Sequence, residues 1–421
     1  MKETLICVVA AFANLTAGNT LVAGNWTQFR GNDGSGTSSE AELPLNWGDG
    51  ENLVWKTGLP GYGASSPITY GDRIFLTGYS GYGTASSAAT TQTMLKLHVT
   101  CLNRSDGTVR WDRKIDGNDN EQDYKRFVAL HGYASGTPAT DGKAVFAFFG
   151  SSGVVAYDYE GELLWTADVG DKTHIFGSGT SPVLFGDLVI VNASVESGSL
   201  VALDKQTGDE VWRAPDINSA WNTPLLVDVG ADKPEMVVNT NTKLLAFDPS
   251  SGEPLWNFTN GAGTYICPSV VAENDIVYAV GGRSGKVVAV RGGGRGDVTE
   301  SHQVWASEGQ SNVPSPVLHD GRLHWVSDKG IAFCLDAQSG EQVYKKRIAD
   351  AKKVYASVVA VDDRLYVLTC ADGAMVLSAG SEFEQLAHNV FSDDDSIFNA
   401  SPVVSNGQLL IRSDRFLYCV D

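Results

Sequence analysis

The sequence has little that would build helices, bind nucleic acid or cross a membrane. Amphipathic helical spacing is hard to find, and charged residues make up only 19% of the 421 residues. The formal charge is −19, so a nucleic-acid backbone or an anionic bilayer would be repelled as a partner. After residue 23, no segment approaches the roughly 20 apolar residues of a membrane helix. We therefore expect no nucleic-acid partner and no transmembrane segment.

Cysteine is also scarce, and its spacing excludes the usual cysteine sites. No Cys-x-x-Cys pair is present. Five cysteines follow Cys7, and this odd number does not indicate a disulfide framework. Cys101, Cys334 and Cys419 occupy a recurring small position, so we expect buried apolar side chains there. The residues themselves indicate no metal and no cofactor.

Glycine, by contrast, is plentiful at 46 residues, and it marks the turns of a hairpin that recurs along the chain. In residues 202–212, ALDKQTGDEVW, one strand ends at Asp204, Gly208 supplies the turn, and Trp212 lies in the returning strand. The small residue of each copy lies 42 to 55 residues after the previous one. The eight aligned positions are Cys101, Ala156, Ala202, Ala246, Ala289, Cys334, Val376 and Cys419. Such a period indicates a repeat architecture.

Each copy opens with a small or hydroxyl residue that usually precedes proline. These openings are Ser66-Pro67, Thr137-Pro138, Ser181-Pro182, Thr223-Pro224, Cys267-Pro268, Ser315-Pro316, Ser401-Pro402 and a degenerate Ala356-Ser357. With the β-branched strand that follows and the two strands of the hairpin, each unit has four strands. Four-stranded sheets expose two apolar faces, and eight of them stacked in a ring form a β-propeller. The sequence predicts an all-β, eight-bladed propeller of four-stranded antiparallel blades over residues 52–421.

The two ends of the chain are predicted to meet in one blade. The last unit stops after its third strand, and the segment around Trp55 resembles a fourth strand without its three partners. We expect this N-terminal strand to complete the last blade and close the ring. Residues 24–51 are predicted to form an extended arm on the surface of the propeller. Residues 1–23 have an early Lys2 and an apolar stretch from Leu5 to Leu15, which is typical of a secretory signal peptide.

Six tryptophans recur at the outer strand of the repeat. Such rings are compatible with a cofactor-stacking role or a structural role, and the regular spacing favours the structural one. Each ring is predicted to dock against the small residue and the turn glycine of the adjacent blade, which buries about 150–250 Å² each time. These blade-docking residues are Trp55, Trp111, Trp165, Trp212, Trp256 and Trp305.

The loops that enter the innermost strands should form the mouth of an axial channel, where every blade contributes to one concavity. Just before the innermost strands the sequence carries imidazole, aromatic and amide groups, with two similar approaches, His131-Gly132-Tyr133 and His174-Ile175-Phe176. Ordinary loop residues that cap strand ends are the alternative. The candidate ligand-mouth residues are His131, Tyr133, His174, Trp221, Asn222, Tyr265, Asn312, Tyr355 and Asn399. No catalytic set of Ser, His and Asp, and no carboxylate pair, can be assembled by spacing.

The Ala-x-Asp-x-x-Thr-Gly-x-x-x-Trp pattern of residues 202–212, which is echoed at residues 246–256, resembles the repeat of the pyrroloquinoline-quinone (PQQ) propeller family. The resemblance extends from Trp47 to Asp421. It implies one of two functions: a quinoprotein alcohol dehydrogenase, or a non-enzymatic propeller similar to those of the outer-membrane assembly machinery. The enzymes are implied to hold PQQ between a Trp and adjacent cysteines, with Ca²⁺ held by carboxylates and an Asp as base.

The departures from the enzyme pattern favour the non-enzymatic branch. The chain has no Cys-Cys pair, no carboxylate cluster on its inner strands, and by alignment only Trp221 faces the mouth. The lipid-attachment cysteine of the assembly factors is missing, since Cys7 lies too early. We expect an exported, periplasmic or extracellular monomer that binds an unknown protein or small molecule as a scaffold. A PQQ-dependent dehydrogenase with Ca²⁺ is the alternative, followed by a hydrolase or lyase that uses the mouth residues.

Overall fold

The computed structural model describes residues 24–40, 43–84, 90–218, 220–230 and 234–421. The predicted signal peptide, residues 1–23, lies outside them. The predicted all-β, eight-bladed propeller of four-stranded antiparallel blades is confirmed, and the helical structure consists of three single 3₁₀ turns in the described part of the chain. No helix among the described residues has the length and apolar character that crossing a membrane requires.

Each blade runs from an innermost strand to an outermost strand in chain order, with one exception. Blade 1 comprises Ile68–Tyr70, Arg73–Ser80, Lys96–Asn103 and Val109–Asp116, and blade 2 comprises Ala139–Thr140, Ala144–Phe148, Val154–Asp158 and Leu163–Ala167. Blade 3 comprises Val183–Phe185, Leu188–Ala193, Ser199–Asp204 and Glu210–Ala214, and blade 4 comprises Leu225–Val227, Glu235–Asn239, Lys243–Phe247 and Pro254–Thr259. Blades 5 to 7 comprise Val271–Glu273, Ile276–Val280, Lys286–Arg291, Gln303–Glu308; Val317–His319, Arg322–Val326, Ile331–Asp336, Gln342–Arg347; and Val359–Val361, Arg364–Leu368, Ala374–Ser378, Gln385–Asn389.

Blade 8 is built from both ends of the chain. Its first three strands are Val403–Ser405, Gln408–Arg412 and Phe416–Val420, and its outermost strand is Leu53–Gly58. The N-terminal strand pairs antiparallel with the final strand, with Trp55 opposite Cys419. Two short strands, Thr37–Ser38 and Gly296–Asp297, add parallel to blades 7 and 4, and the 3₁₀ turns are Gln92–Met94, Val128–Leu130 and Gly150–Ser152.

The hydrophobic core lies in layers between neighbouring blades. One layer combines Phe146 and Val154 of blade 2 with Val189 and Val201 of blade 3, all of them buried. The alternation of apolar residues along each strand directs side chains to both faces of a blade, so every blade contributes to two layers. Burial of this apolar surface is the main stabilising contribution to the ring.

A closed circle of hydrogen bonds joins the eight blades around the axis. At the start of each innermost strand, a backbone N–H donates to the side-chain hydroxyl oxygen of the next blade, over 2.9–3.1 Å. The last bond runs from the Ser401 N–H to Ser66 Oγ and returns to the first blade. We name this set the hydroxyl ring; its members are Ser66, Thr137, Ser181, Thr223, Ser269, Ser315, Ser357 and Ser401.

The hydroxyl ring corrects the predicted opening of blade 5. The alignment placed Cys267 at the position that Ser and Thr hold in other blades, because Pro268 follows it. In the structure, the N–H of Thr223 donates to Ser269 Oγ, and the N–H of Ser269 donates to Ser315 Oγ. A hydroxyl is the required group because it accepts this bond strongly, whereas a thiol is a weak acceptor. Proline is incidental to the position.

The outer tryptophans contact the turn of the following blade. Trp165, for example, lies against Gly208, where an added Cβ would come within 2.7 Å of the indole, and its Nε1–H donates to the carbonyl of Lys205 at 2.9 Å. Gly208 has φ of +78°, so glycine serves both the turn and the close approach. The same arrangement is found for Trp55, Trp111, Trp212 and Trp305 against Gly107, Gly161, Gly252 and Gly340.

The small residue of the repeat has a different partner from the one predicted. Ala202 lies opposite Trp212 within the same blade, rather than against the tryptophan of an adjacent blade. Blade 7 follows the same register, with Ala387 opposite Val376, so Ala387 takes the tryptophan position. The small side chain leaves room for the ring on its own sheet, and the next blade supplies the glycine.

Trp256 departs from this arrangement because blade 5 lacks the short turn. Its Nε1–H donates to Glu235 Oε2 at 2.6 Å, within its own blade. The longer turn of blade 5 crosses back to blade 4, where Gly296–Asp297 pairs with Trp256 and Asn257, and Arg295 forms an ion pair with Glu235 at 3.0 Å. The insertion therefore covers the outer edge of blade 4.

The N-terminal arm does not lie on the surface as predicted; it lies across the end of the axial channel opposite the mouth. The Thr27 carbonyl accepts from the N–H of Thr140, and Thr37–Ser38 adds to blade 7. Arg30 is 2% exposed, and its guanidinium donates to the carbonyls of Pro316 and Val358 in blades 6 and 7. At the two ends of the arm, Trp26, Leu43 and Trp47 are buried against blades 7, 8 and 1.

Candidate functional site

An axial cavity of about 150 Å³ lies where the loops enter the innermost strands. Seven hydroxyl-ring residues contribute to its wall, and aromatic side chains from blades 2 to 5, from blade 7 and from the arm supply much of the remainder. The residues outside the hydroxyl ring are Phe29, Ala64, Phe127, Leu130, His131, Ser135, Phe176, Ser178, Gly179, Trp221, Tyr265, Cys267, Val313, Tyr355 and Asn399.

An aromatic cluster forms one side of the axial cavity. Phe176 is at the centre, with its ring centroid 4.3 Å from that of Tyr265, 4.5 Å from Phe127 and 5.6 Å from Trp221. The rings meet at tilted or edge-to-face angles, which aromatic quadrupoles favour. Trp221 is held in place because its Nε1–H donates to the carbonyl of Gly177 at 2.9 Å. The cluster offers a rigid apolar surface.

His131 lines the axial cavity with both ring nitrogens already engaged. Nε2 lies 2.8 Å from the carbonyl of Phe176 and must donate to it, so Nδ1 accepts from the hydroxyl of Ser135 at 2.7 Å. Burial lowers the pKa of His131, which favours this neutral tautomer. In this arrangement neither nitrogen is available as a general base, and the imidazole fastens the loop that carries Phe176.

The structure brings five of the nine candidate mouth residues together in the axial cavity: His131, Trp221, Tyr265, Tyr355 and Asn399. Asn399 connects two blades, because its Nδ2–H donates to the carbonyl of Leu130 at 2.5 Å and its Oδ1 accepts from Cys370. Tyr265 and Tyr355 each have a cation beside the ring: Arg283 at 5.7 Å and Lys353 at 4.6 Å from the centroids.

The other four candidates lie outside the lining. His174 stands behind it, 5.0 Å from Trp221, and its Nδ1 accepts from the N–H of Phe176. Tyr133 points away, with its hydroxyl donating to the carbonyl of Gln122 at 2.6 Å. Asn222 is buried and exchanges hydrogen bonds with the backbone of Asn239, and Asn312 bonds to Asp328. These amides cap strand and loop ends.

Several lining residues were missed by sequence reasoning for identifiable reasons. Phe29 belongs to the arm, which has no counterpart in the repeat, and Phe127 lies beside a 3₁₀ turn within a long loop. Cys267 does line the axial cavity, two residues before its hydroxyl-ring neighbour Ser269. A search for aromatic residues in every loop longer than the repeat requires would have found Phe127, but nothing local marks Phe29.

Phe29 also separates the axial cavity from a second space. Beneath it, a cavity of about 520 Å³ lies between the arm and blades 1 to 5, and the two cavities share Phe29, Thr223 and Ser269. Arg30 anchors this partition, and since its donors face only backbone carbonyls, burial lowers the pKa of its guanidinium to about 10. The arm thus limits the depth of the axial cavity.

A buried acid lies beneath the loop that carries Phe176. Glu196 is 2% exposed, and its Oε1 accepts from the hydroxyl of Ser178, a lining residue. Burial, with a smaller contribution from the nearby Glu121, raises the pKa of Glu196 to about 7. Burial also raises the pKa of Glu121, whose Oε1 accepts from Ser151 at 2.6 Å.

The lining does not fit the PQQ and Ca²⁺ that the enzyme branch implies. Ca²⁺ is held by carboxylate and other oxygen ligands, and the described residues that line the axial cavity include no Asp or Glu. Sites for ligands of cofactor size span roughly 300–1,000 Å³. The axial cavity, at about 150 Å³, is well below that range.

Comparison with known proteins identifies the family to which this sequence is similar. Residues 150–375 match the sequence profile of a family described as outer membrane protein assembly factor BamB. The outer membrane protein assembly factor BamB of Yersinia pestis is 26% identical over 311 residues, which cover 69% of this chain and 74% of that protein.

Two solved structures share the fold. BamB from Moraxella catarrhalis superposes with a TM-score of 0.60 at 14% identity, covering 87% of this chain and 98% of that chain. Quinohemoprotein alcohol dehydrogenase from Comamonas testosteroni superposes with a TM-score of 0.65 at 10% identity, covering 94% and 80%. At these identities the likenesses show the propeller fold alone. The sequence match over more than half of the chain carries further: the chain belongs to the PQQ-like propeller family described as outer membrane protein assembly factor BamB.

Proposed function

We propose that this chain is a non-enzymatic scaffold protein that binds a protein partner by taking one apolar side chain into its axial cavity. The observation that carries the proposal is the size and lining of that cavity. A cavity of about 150 Å³ has room for a molecule the size of benzene, which matches a single aromatic or aliphatic side chain. The rigid rings of Phe176, Trp221 and Tyr265 supply the apolar contacts.

The polar groups of the lining support binding rather than chemistry. His131 and Asn399 are committed to hydrogen bonds that fasten loops of different blades. The hydroxyl ring is likewise occupied by backbone N–H groups, so it contributes a neutral wall. Together these groups hold the mouth open in one shape, and a preformed site reduces the entropy lost when a partner binds.

We further propose that the chain is exported and works in the periplasm or at the cell surface as a monomer. The pattern of residues 1–23 supports export, and the relatives are described as outer membrane assembly factors. N-terminal sequencing of the protein from fractionated cells is expected to find a chain that begins near Gly24. A chain that retains Met1 and stays in the cytoplasm would contradict this part of the proposal.

Saturation-transfer NMR with N-acetyl-phenylalanine amide tests the cavity. Saturation is expected to transfer from the wild-type chain to the phenyl protons of the probe. Val313→Trp, which places an indole ring in the axial cavity, is expected to abolish this transfer. Val304→Trp is the matched control, since Val304 is a valine of the outermost strand of blade 5 and is 43% exposed. Equal signals from both variants would contradict binding in the axial cavity.

A second measurement addresses the enzyme alternative. The purified chain is incubated with PQQ and Ca²⁺, and both quinone absorbance in the protein fraction and dye-linked alcohol oxidation are followed. We expect no retained quinone and no oxidation, because the lining lacks carboxylate ligands. Tight stoichiometric PQQ binding would overturn the scaffold proposal.

A further inference from the structure

Blade 6 carries a concentration of positive charge on a strongly acidic protein. The chain has 50 Asp and Glu against 31 Lys and Arg. Six basic residues lie near the end of the outermost strand of blade 6 and near the turn that precedes its third strand. We name this set the basic edge; its members are Lys329, Lys345, Lys346, Arg347, Lys352 and Lys353.

Backbone contacts place Lys329, Arg347 and Lys353 side by side. Arg347 donates to the carbonyl of Lys329, and the N–H of Val354 donates to the carbonyl of Asp328, which brings Lys353 beside that turn. Lys353 in turn lies over the ring of Tyr355, which lines the axial cavity. The basic edge therefore leads from the rim of blade 6 to the mouth.

Few carboxylates neutralise the basic edge. Among the described residues, the ion pair that reaches it joins Lys352 to Asp372 at 3.2 Å. Asp328, the nearest acid to Lys329 in sequence, accepts from Asn312. Lys345 lies over Phe333 at 5.2 Å. Lys329, Lys346 and Arg347 are exposed and form no ion pair with a described residue, which raises the local potential above that of the rest of the surface.

The other blades provide an internal comparison, because the same positions recur eight times. In blade 1, Arg113 and Lys114 hold the positions equivalent to Lys346 and Arg347. There they face carboxylates, with Arg113 3.8 Å from Glu162 and Lys114 3.8 Å from Asp112. In blade 5 the equivalent segment is Ala-Ser-Glu. Three consecutive bases occur in blade 6 alone among the eight outermost strands. The repeat itself does not require them.

We infer that the basic edge is the docking surface for an extended acidic segment of a protein partner. This inference rests on the proposed scaffold function and specifies the chemistry of its partner. The strand Gln342–Arg347 is the last in its sheet, and in the described part of the chain no further strand covers it, unlike blade 4. An extended segment can therefore pair with the edge while its carboxylates meet the bases. A flat anionic bilayer fits less well, since it would also face the acidic surface around the basic edge.

Fluorescence anisotropy with a fluorescein-labelled peptide of alternating Glu and Thr tests the inference on the full chain. The wild type is expected to bind with an affinity that falls as salt is added. Lys346→Glu with Arg347→Glu is expected to weaken binding about tenfold or more, a change that charge pairs at an interface commonly produce. Arg113→Glu with Lys114→Glu changes the net charge equally and is expected to weaken binding about twofold at most.

Two outcomes would overturn the inference: equal losses in the two double variants, or no peptide binding by the wild type. In the second case, binding of phosphatidylglycerol vesicles through Lys346 and Arg347 would assign the basic edge to a membrane surface instead. Each double variant is also tested with N-acetyl-phenylalanine amide. If the wild type binds that probe but does not bind the peptide, the basic edge is rejected and the axial cavity stands. If the wild type does not bind N-acetyl-phenylalanine amide, the proposed function itself is rejected.

Discussion

The contacts that every blade repeats and the contacts that occur once do different work in this protein. The hydroxyl ring and the tryptophan docks recur around the axis, so each single contact is one of several equivalents. Arg30 and Glu196, by contrast, are single buried groups with no counterpart in other blades. The repeated contacts stabilise the ring, whereas the single ones shape the two ends of the axial cavity. We therefore expect the larger losses from the single contacts.

The largest effect should come from Arg30→Ala. The substitution removes a buried guanidinium and leaves the carbonyls of Pro316 and Val358 without a donor, so we expect a loss of about 4 kcal/mol in the free energy of unfolding. Urea unfolding measures it. Arg283→Ala is the control, since Arg283 is an exposed arginine, and it should change stability by less than about 0.5 kcal/mol. A loss in Arg30→Ala as small as that of the control would show that the Arg30 contacts are dispensable.

Glu196 should make stability depend on pH. Its pKa is raised from 4.5 to about 7, so the folded chain keeps a proton that the unfolded chain has already lost. The stability of the wild type should therefore fall as pH rises from about 4.5 to about 7, by roughly 3 kcal/mol from this group. Glu196→Gln should remove that decline, which unfolding measured at pH 5 and pH 8 will reveal. An unchanged pH profile in the variant would contradict the assignment.

A tryptophan dock should be sensitive to one methyl group. Gly208→Ala places a Cβ within 2.7 Å of the Trp165 ring at a positive φ, so we expect a loss of about 2 kcal/mol. Gly186→Ala in the same blade also has positive φ but meets no atom within 4 Å, and about 1 kcal/mol is expected there. Thermal unfolding of both variants separates the contact from the backbone cost. Equal losses would mean that the Trp165 indole shifts to accommodate the added methyl group.

The smallest effect distinguishes the two assignments of blade 5. Ser269→Ala removes an acceptor of the hydroxyl ring and leaves the buried N–H of Thr223 unpaired, with an expected loss of about 1 kcal/mol. Cys267→Ala removes a thiol that lines the axial cavity and should cost less. If the order were reversed in urea unfolding, the hydroxyl ring would not pass through Ser269, and the proline-based alignment would be restored.

The sequence predicted the blades more completely than the residues of the mouth. The Trp212 hairpin could be read because its turn and its alternating strands lie within a dozen residues, and the register follows from local chemistry. Trp221, Tyr265 and Tyr355 were also placed in the mouth from their position before an innermost strand. Tyr133 and Asn312 occupy similar positions in sequence, but their loops turn the side chains elsewhere.

The sequence by itself determined the number of blades, the order of strands within each and the place of the tryptophan and the turn glycine, because these depend on alternation and turns between near neighbours. Only the tertiary structure decided that Arg30, 286 and 328 residues away from its partners, would close one end of the axial cavity. It also decided which mouth residues meet and that Lys353 links the basic edge to Tyr355. Such contacts depend on the paths of loops, and those paths are set by packing between blades that no local pattern records.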